Sequence, residues 1–522
     1  MNVRQNFFLI SIVFIVAIYW TKTYWAFVVV APIIILGLYD LIQTKHTILR
    51  IYPVIGHLRY FFESIRPEIQ QYFVESNIDG RPINREFRSL VYQRAKNVRD
   101  TRPFGTQFDV YRSGYEWINH SLAPIHIEDK HPRVNFGGPD CLKPYAASPM
   151  NISAMSYGAL SKHAIMALNK GAKLGNFAHN TGEGGLSPYH LKYGGDIVWQ
   201  IGTGYFGCRD SEGGFDKNLF AEKAQLDVVK MIEIKLSQGA KPGHGGILPA
   251  AKLTPEIAEI RHVPMGQDVV SPPAHSTFST PAGLMEFISE LRELSGGKPV
   301  GIKLCIGKRS EFLAICKAML ATGISPDFIT VDGSEGGTGA APIEFTNSVG
   351  TPLRDAVIFV NNALLGTGLR NHIRIIASAK IFSAFHIARI VALGADTVNS
   401  ARGMMLALGC IQSRSCNTDQ CPTGIATQNP ARYKALDIEK KAQRVANFHN
   451  LTIENLIELL GACGITETSE LQPSHIHRRV NGTSIASYEE LYPMVKSLCL
   501  LCDEDIPGSW RADWEIATAN HW

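Results

Sequence analysis

The chain has 522 residues, 45% of them hydrophobic, which permits two or three domains and a large core. Lys and Arg number 51 against 47 Asp and Glu, a net charge of +4, so there is no electrostatic case for nucleic acid as a partner. Ten cysteines in a chain this long are too sparse for a disulfide framework.

The N-terminus differs from the rest. Phe7–Trp20 is an apolar run, Thr21, Lys22 and Thr23 break it, and Trp25–Ile42 is apolar again up to Asp40. Both runs approach the roughly 20 residues that cross a bilayer. Tyr19, Trp20, Tyr24 and Trp25 gather at the break, as an interfacial aromatic belt does. Arg4 precedes the pair, and Lys45, His46, Arg50, Arg59 and Arg66 follow it. The positive-inside rule then predicts a transmembrane hairpin over residues 1–45 with both ends in the cytoplasm. The expected localisation is the cell membrane, with a multi-pass anchor and a cytoplasmic catalytic domain. A cleaved signal peptide is the competing reading, but no A-x-A-like cleavage site is apparent.

Residues 46–130 are mixed and rich in Arg, Tyr and Phe, with helical spacing over Glu63–Phe73 and a turn-rich stretch at Asn77–Asn84. They are read as a helical pre-domain beside the main domain. From Ser148 short apolar runs alternate with amphipathic stretches. Strands are predicted at 150–155, 177–180, 196–201, 231–236, 300–305, 328–332, 373–378 and 396–400. Helices are predicted between several of them, among them Leu284–Leu294, Phe312–Thr322 and Phe385–Leu393. Eight strands with intervening helices point to an α/β fold, a closed (β/α)8 TIM barrel over 131–437. An open doubly wound sheet is the competitor. The barrel is preferred because the glycine-rich and polar signals fall just after the strands' C-terminal ends. Ile438–Leu460 reads as helix, and 438–522 as a helical, polar C-terminal segment.

Cys410, Cys416 and Cys421 lie in GCIQSRSCNTDQCPTGIATQ, spaced C-x5-C-x4-C with Pro422 following. Three soft thiolates on one tight loop suit an iron–sulfur cluster, and three ligands rather than four suggest a 3Fe-4S centre. Zinc is disfavoured, since C-x2-C spacing is absent here and structural zinc takes four ligands. Three plain unpaired cysteines are the bland alternative; Gly409, Pro422 and Gly424 argue for a loop wrapped on something compact. Cluster ligation needs reduced thiols, which favours the cytoplasm. Cys499 and Cys502 form a lone C-x-x-C, read as structural.

The cysteine loop, with SAMSYGALS, NTGEGG, EIKLSQGAKPGHGG, SPPAH and DGSEGGTGA upstream of it, resembles the glutamate synthase large subunit over roughly Pro149–Arg432. What matches is the flavin-binding synthase domain; the family's amidotransferase domain is not expected in this chain. The resemblance implies FMN and a 3Fe-4S cluster as cofactors. In flavin-binding barrels the phosphate is held by the loops after the last two strands. Ser378, Ala379 and Lys380 would form one half of that grip, and Ser400, Ala401 and Arg402 the other. Asp332 leads into a loop in which Gly333, Gly336, Gly337 and Gly339 allow positive φ and close approach. No G-x-G-x-x-G opening a βαβ unit is apparent, so bound NAD(P)H is not expected.

Lys303 stands on the apolar run Val300–Cys305, where a lysine is costly unless it meets an anion or an electron-rich group. The resemblance sets it beside the flavin N1–C2=O edge, Gln200 at the isoalloxazine, and Ala154, Met155 and Ser156 against the ring. It also implies that Lys235, Gln238 and Lys241 bind 2-oxoglutarate. Arg261 would add a carboxylate clamp, and Glu183 would stand near the reacting carbon or ammonia. Where the family commonly has Glu and Gln, this chain has His244, expected to bind substrate as a hydrogen-bond donor, and Ile247, which cannot donate; both bear on substrate identity.

The expected activity is reductive amination of 2-oxoglutarate to L-glutamate through 2-iminoglutarate. Ammonia would come free or from glutamine. Electrons would come from an external donor such as ferredoxin, a reductase subunit or a membrane quinol. The alternatives are a flavin/iron–sulfur oxidoreductase on another 2-oxo or amino acid, or a membrane electron-transfer subunit without its own substrate.

Overall fold

The computed structural model of the protein describes residues 3–98 and 100–522. The chain divides into two compact units, Met1–Arg85 and Glu86–Trp522.

In the first unit the apolar runs form helices Val3–Thr21 and Phe27–Ile42, joined by a single 3-10 turn at Tyr24–Ala26. The apolar spans Val3–Thr21 and Tyr24–Ile42 have 19 residues each and mean hydropathies of 1.7 and 2.3. At the α-helical rise each is about 28 Å long, close to the ~30 Å hydrocarbon core of a bilayer. They are therefore long and apolar enough to cross one, by length and composition. Within Phe27–Ile42 only Gly37 and Asp40 are buried. Asp40 accepts the Val54 N–H at 2.9 Å and the His57 Nε2 at 2.9 Å, which ties the following turn to this helix. The helix expected at Glu63–Phe73 begins earlier, as Gly56–Ile69, and runs on into a π-helical turn at Gln70–Val74.

The second unit holds a closed barrel of eight parallel strands. In chain order they are β1 (Met150–Ile152), β2 (His179–Asn180), β3 (Ile197–Ile201), β4 (Val229–Lys235), β5 (Val300–Leu304), β6 (Phe328–Asp332), β7 (Arg374–Ser378) and β8 (Thr397–Ser400), with β8 pairing back onto β1. β3, β5 and β6 are buried at every residue, as parallel strands covered on both faces must be, which is why they read as apolar runs. All eight strands lie at the predicted places.

The helices outside the barrel start and stop on local chemistry. Ser161 caps Lys162–Gly175 by accepting the Ala164 N–H, and Asn176 ends it in the left-handed conformation at φ 53°. Thr280 and Pro281 open Pro281–Leu294 in the same manner. The antiparallel hairpin Val134–Phe136/Tyr145–Ala147 stops the N-terminal end of the barrel. Its Phe136 meets Phe328 edge-on at 5.7 Å, in a core cluster with Ala178, Val198, Met231 and Ile376. With that end filled, the opposite, C-terminal mouth is left for a site, as in other barrels of this type.

Two expectations are corrected. The stretch up to residue 130 and the tail are not wholly helical: Glu116–Ile118, Ile476–Arg479 and Ile485–Ser487 form an antiparallel three-stranded sheet. Glu116 is its anchor. It is bonded by Arg354 and, at 2.9 Å, by Arg389. The predicted helix at 438 is present as Ile438–Cys463, and its buried face packs on Lys162–Gly175.

Candidate active site

The barrel interior carries a polar ladder built from four strands. Glu233 of β4 is fully buried. Its Oε1 accepts from Asn180 Nδ2 at 2.8 Å and Gln200 Nε2 at 2.6 Å, and its Oε2 accepts from Thr330 Oγ1 at 2.6 Å. A buried carboxylate costs several kcal/mol, on the order of a lost ion pair, unless it is satisfied in this manner. Lys303 of β5 lies 3.4 Å from Asp332 Oδ2 at the end of β6. Burial alone would lower the Lys303 pKa, but Asp332, Glu233 and Glu183 outweigh it and hold the ammonium above the ordinary lysine value. Asp332 also accepts the Gly239 N–H at 2.9 Å. A Cβ on Gly239 would come 1.8 Å from the Gly333 oxygen, so only glycine lets these two loops interlock.

Above the ladder is a charged group. Glu183 follows β2 and Lys235 ends β4; Lys235 Nζ lies 2.9 Å from Glu183 Oε2. Burial pushes the Glu183 carboxyl up, and Lys235, Lys241 and Arg261 together pull it below the usual carboxylate range. Lys241 is buried, and its pKa is lowered by burial, with Lys235 repelling it and Glu183 opposing the shift. Burial lowers Arg261 to about 10, Glu183 again opposing, so it stays cationic at neutral pH. One Arg261 nitrogen donates to the Tyr157 carbonyl at 3.1 Å, its guanidinium lies 5.1 Å from the Phe206 ring centroid, and its Nε is buried without a partner. A Cβ on Gly246 would stand 2.4 Å from Glu183 Oε1, so that glycine keeps the mouth open over the carboxylate.

His275, from SPPAH, supports Lys235 from behind. Its Nε2 lies 2.9 Å from the Lys235 carbonyl and its Nδ1 3.1 Å from Tyr205 Oη. A carbonyl only accepts, so Nε2 carries the proton and Nδ1 accepts from the tyrosine. Burial lowers the His275 pKa to about 4, which keeps the ring neutral.

The predicted phosphate segments end adjacent strands, with Ser378 paired to Asn399 in register. Ser378 Oγ lies 3.3 Å from Ser153 Oγ, and Ser400 donates to the Ile381 carbonyl at 2.7 Å. Lys380 takes a left-handed φ of 47°, which turns the chain sharply after Ala379. Arg402 donates to the Thr338 carbonyl at 2.5 Å and approaches Cys416 Sγ at 3.8 Å, so it bridges the DGSEGGTGA loop to the cysteine loop. Gly336 and Gly337 belong to that loop, and Gly337 faces Arg402: a Cβ there would lie 2.9 Å from its Nε. Met155 is buried, with Ala154 and Ser156 half-buried beside it; Ala401 is half-buried at the start of its helix.

Gln238 makes no side-chain hydrogen bond among the described residues. His244 turns to the Gly245 carbonyl at 2.9 Å and stands edge-on to Phe345 at 5.5 Å. Ile247 enters a short antiparallel pairing with Val270.

Among the described residues no group of three or more His, Cys, Asp or Glu is gathered tightly enough to hold a metal ion. The loop nevertheless has features that suit thiolate ligands. Cys421 is pushed up by burial, but hydrogen bonds from Thr423 and from the backbone of Ala426, Thr423 and Ile425 outweigh this and lower its pKa. Burial raises Cys410, with Cys416 and Cys421 close enough to add to the shift. Gln412, Arg414 and Asp419 all adopt left-handed φ values of 58–60°, strain that marks functional loops. The loop is tied to the segment after β1. Gln428 donates to the Gly158 and Leu160 carbonyls at 3.0 Å, and buried Lys252 donates to Ala159 at 2.8 Å and to the Cys416 carbonyl at 3.1 Å.

Sequence reasoning missed Glu233, Asn180 and Tyr205, and gave His275 no role. Glu233 had a usable signal: a carboxylate inside an apolar strand is as costly as the lysine at 303.

Residues 115–466 match a family profile described as a conserved region in glutamate synthase. The chain is 39% identical over 490 residues to the glutamate synthase large subunit-like protein YerD of Bacillus subtilis (strain 168), covering 86% of this chain and 93% of that protein. It is 37% identical over 345 residues to the archaeal glutamate synthase (NADPH) of Methanocaldococcus jannaschii, covering 66% of this chain and 64% of that protein, so it spans under two thirds of that relative. Among solved structures it is similar to flavocytochrome b2 over 80% of this chain, at 11% identity and a TM-score of 0.42, too distant for any residue to be carried across.

Proposed function

Because this chain belongs to the glutamate synthase family, we propose that it is an oxidoreductase that reductively aminates 2-oxoglutarate to L-glutamate through 2-iminoglutarate. The observation that carries the reading is Glu183 held as an anion among Lys235, Lys241 and Arg261 at the C-terminal mouth of the barrel. Three cations around one carboxylate leave a positive excess suited to a dicarboxylate. The unpartnered buried Nε of Arg261 is a donor waiting for an acceptor, as a substrate carboxylate is. Lys241 binds the second carboxylate or the 2-oxo group. Glu183 takes the proton that ammonium gives up when its nitrogen attacks the carbonyl carbon, returns it to the carbinolamine oxygen as that oxygen leaves as water, and holds the iminium by its charge. Lys235 keeps Glu183 anionic, and His275 fixes the strand end that carries Lys235.

FMN and a 3Fe-4S cluster are the proposed cofactors. FMN would be held at its phosphate by Ser378–Lys380, Ser400–Arg402 and the loop from Gly333, and at its ring by Gln200, Lys303 and Ala154–Ser156. Cys410, Cys416 and Cys421 would hold the cluster. When bound, these groups supply hydride and single electrons respectively. The left-handed turn at Lys380, the buried cationic Lys303 and the thiolate-favouring donors at Cys421 support the assignment.

The two apolar N-terminal helices support a membrane-anchored hairpin, with the catalytic unit on the cytoplasmic side. Ammonia, free or derived from glutamine, is the proposed nitrogen source. The proposed electron donor is a ferredoxin, a reductase subunit or a membrane quinol. A second reading keeps the cofactors and changes the 2-oxo acid. It is favoured by His244 and Ile247, which stand where the family commonly has Glu and Gln.

The test is anaerobic reduction with dithionite, followed by ammonia with a panel of 2-oxo acids. Flavin reoxidation with L-glutamate formed from 2-oxoglutarate supports the first reading. Reoxidation only by another acid supports the second, and reoxidation by none overturns both.

A further inference from the structure

We propose that helix Gly56–Ile69 lies in the headgroup layer of an anionic phospholipid leaflet, as a second membrane contact beside the hairpin. The inference rests on the hairpin reading and extends it. Leu58, Phe61, Phe62, Ile65 and Ile69 fall within an arc of about 100° on a helix of 3.6 residues per turn. Leu58, Phe61 and Phe62 are each more than half exposed, at 54, 55 and 58%. A soluble helix turns such a stripe inward; this one presents Leu58, Phe61, Phe62 and Ile69 outward, with Ile65 half-buried. Tyr60 and Ser64 lie on the opposite side.

Three observations choose a lipid surface over another occupant. The stripe begins where the hairpin ends. Asp40, two residues before the end of the second apolar helix, holds both Val54 and His57 at 2.9 Å, so the first turn of the stripe is pinned to the membrane-facing end of that helix. The connecting residues 43–55 contain Lys45, His46 and Arg50 and no acidic residue. Arg59 and Arg66 border one side of the stripe and Glu68 the other; Arg59 also pairs with Glu63 at 2.8 Å. Apolar side chains with a basic edge, next to a spanning segment on its cytoplasmic side, are what an anionic leaflet attracts.

The test uses the full-length protein in vesicles of phosphatidylethanolamine and phosphatidylglycerol. A photo-crosslinking p-benzoylphenylalanine replaces Val29, Leu58, Phe62 or Ser64 one at a time. Lipid adducts at Leu58 and Phe62 should exceed those at Ser64 at least fivefold, with Val29 also labelled. Replacing phosphatidylglycerol by phosphatidylcholine should lower the Phe62 yield severalfold. Adducts at Val29 with Phe62 no better than Ser64 overturn the proposal and leave the hairpin standing. Absence of adducts at all four positions overturns the hairpin with it. Crosslinks from Phe62 to a second copy of the chain, or yields indifferent to phosphatidylglycerol, overturn the anionic-leaflet assignment.

Discussion

Gln200 donates its side-chain amide to Glu233 at 2.6 Å, between neighbouring strands whose registers pair those two residues directly. A carboxylate only accepts, so the Gln200 amide has one permitted orientation, NH2 toward Glu233. Its carbonyl oxygen then points elsewhere and accepts no hydrogen bond from the described residues. In the proposed FMN site that oxygen is the acceptor for a ring N–H. Glu233 is thus a positioning residue, and Glu233→Gln would let the amide turn either way. A charge-assisted bond is worth about 1.5–3 kcal/mol, so FMN should bind roughly tenfold or more weakly. Flavin fluorescence titration of the apoprotein measures this. Gln200→Ala should weaken FMN to a similar extent, and an unchanged FMN affinity in Glu233→Gln would remove the positioning role.

The Glu183–Lys235 pair gives a pH dependence with a definite sign. The Glu183 pKa in the folded chain lies below its ordinary value, through Lys235, Lys241 and Arg261 acting against burial. Its contribution to stability is therefore complete above the unfolded value of about 4.3 and is lost as pH falls through the lower folded value. Glu183→Gln should melt below wild type at pH 7, and the gap should close as the pH is lowered past 4.3 or so. Thermal midpoints of both proteins across that range check it; a gap constant with pH would mean that the pair is not ionic.

Much of this architecture could be read in the chain before the fold was seen, for a physical reason. Parallel barrel strands are buried on both faces, so Val300–Leu304 and Phe328–Asp332 stand out as apolar runs between amphipathic helices. Strand Ile476–Arg479 could not be read this way. It has two arginines in four residues, and its stability comes from Glu116–Ile118, some 360 positions earlier in the chain. The charged mouth was legible through the family resemblance of EIKLSQGAKPGHGG and NTGEGG, which carry Lys235, Lys241 and Glu183. Tyr205 was not, because it acts through His275, brought in by the barrel's closure; Glu233 could be picked out as a carboxylate in an apolar run, but its partners Gln200 and Thr330 could not.

Lys241 separates substrate binding from cofactor binding. It is buried, with Glu183 and Lys235 as the charges acting on it. Lys241→Ala removes a charge-assisted bond to a carboxylate, about 1.5–3 kcal/mol, so KM for a 2-oxo dicarboxylate should rise roughly ten- to hundredfold. FMN and iron content should match wild type. If KM is unchanged for every 2-oxo acid tried, the carboxylate-binding role of this segment is wrong.

The cysteine loop yields the sharpest contrast between residues. Cys410, Cys416 and Cys421 interact electrostatically on one loop, and the loop is held to the segment after β1 by Gln428 and Lys252. Replacing any one of the three with Ser leaves only two thiolates, too few for a cuboidal cluster. Each variant should lose essentially all bound iron and the brown absorbance, while the barrel keeps its far-ultraviolet dichroism. Cys463 ends the helix Ile438–Cys463, and Cys499 and Cys502 lie near the C-terminal end. Ser at any of these three should leave the iron content at the wild-type level. Iron analysis, with electron paramagnetic resonance of the oxidised protein, reads both sets. Loss of iron on changing a fourth cysteine would replace the 3Fe-4S assignment with a four-ligand cluster. Retention of iron when Cys421 is changed would remove the cluster from this loop altogether.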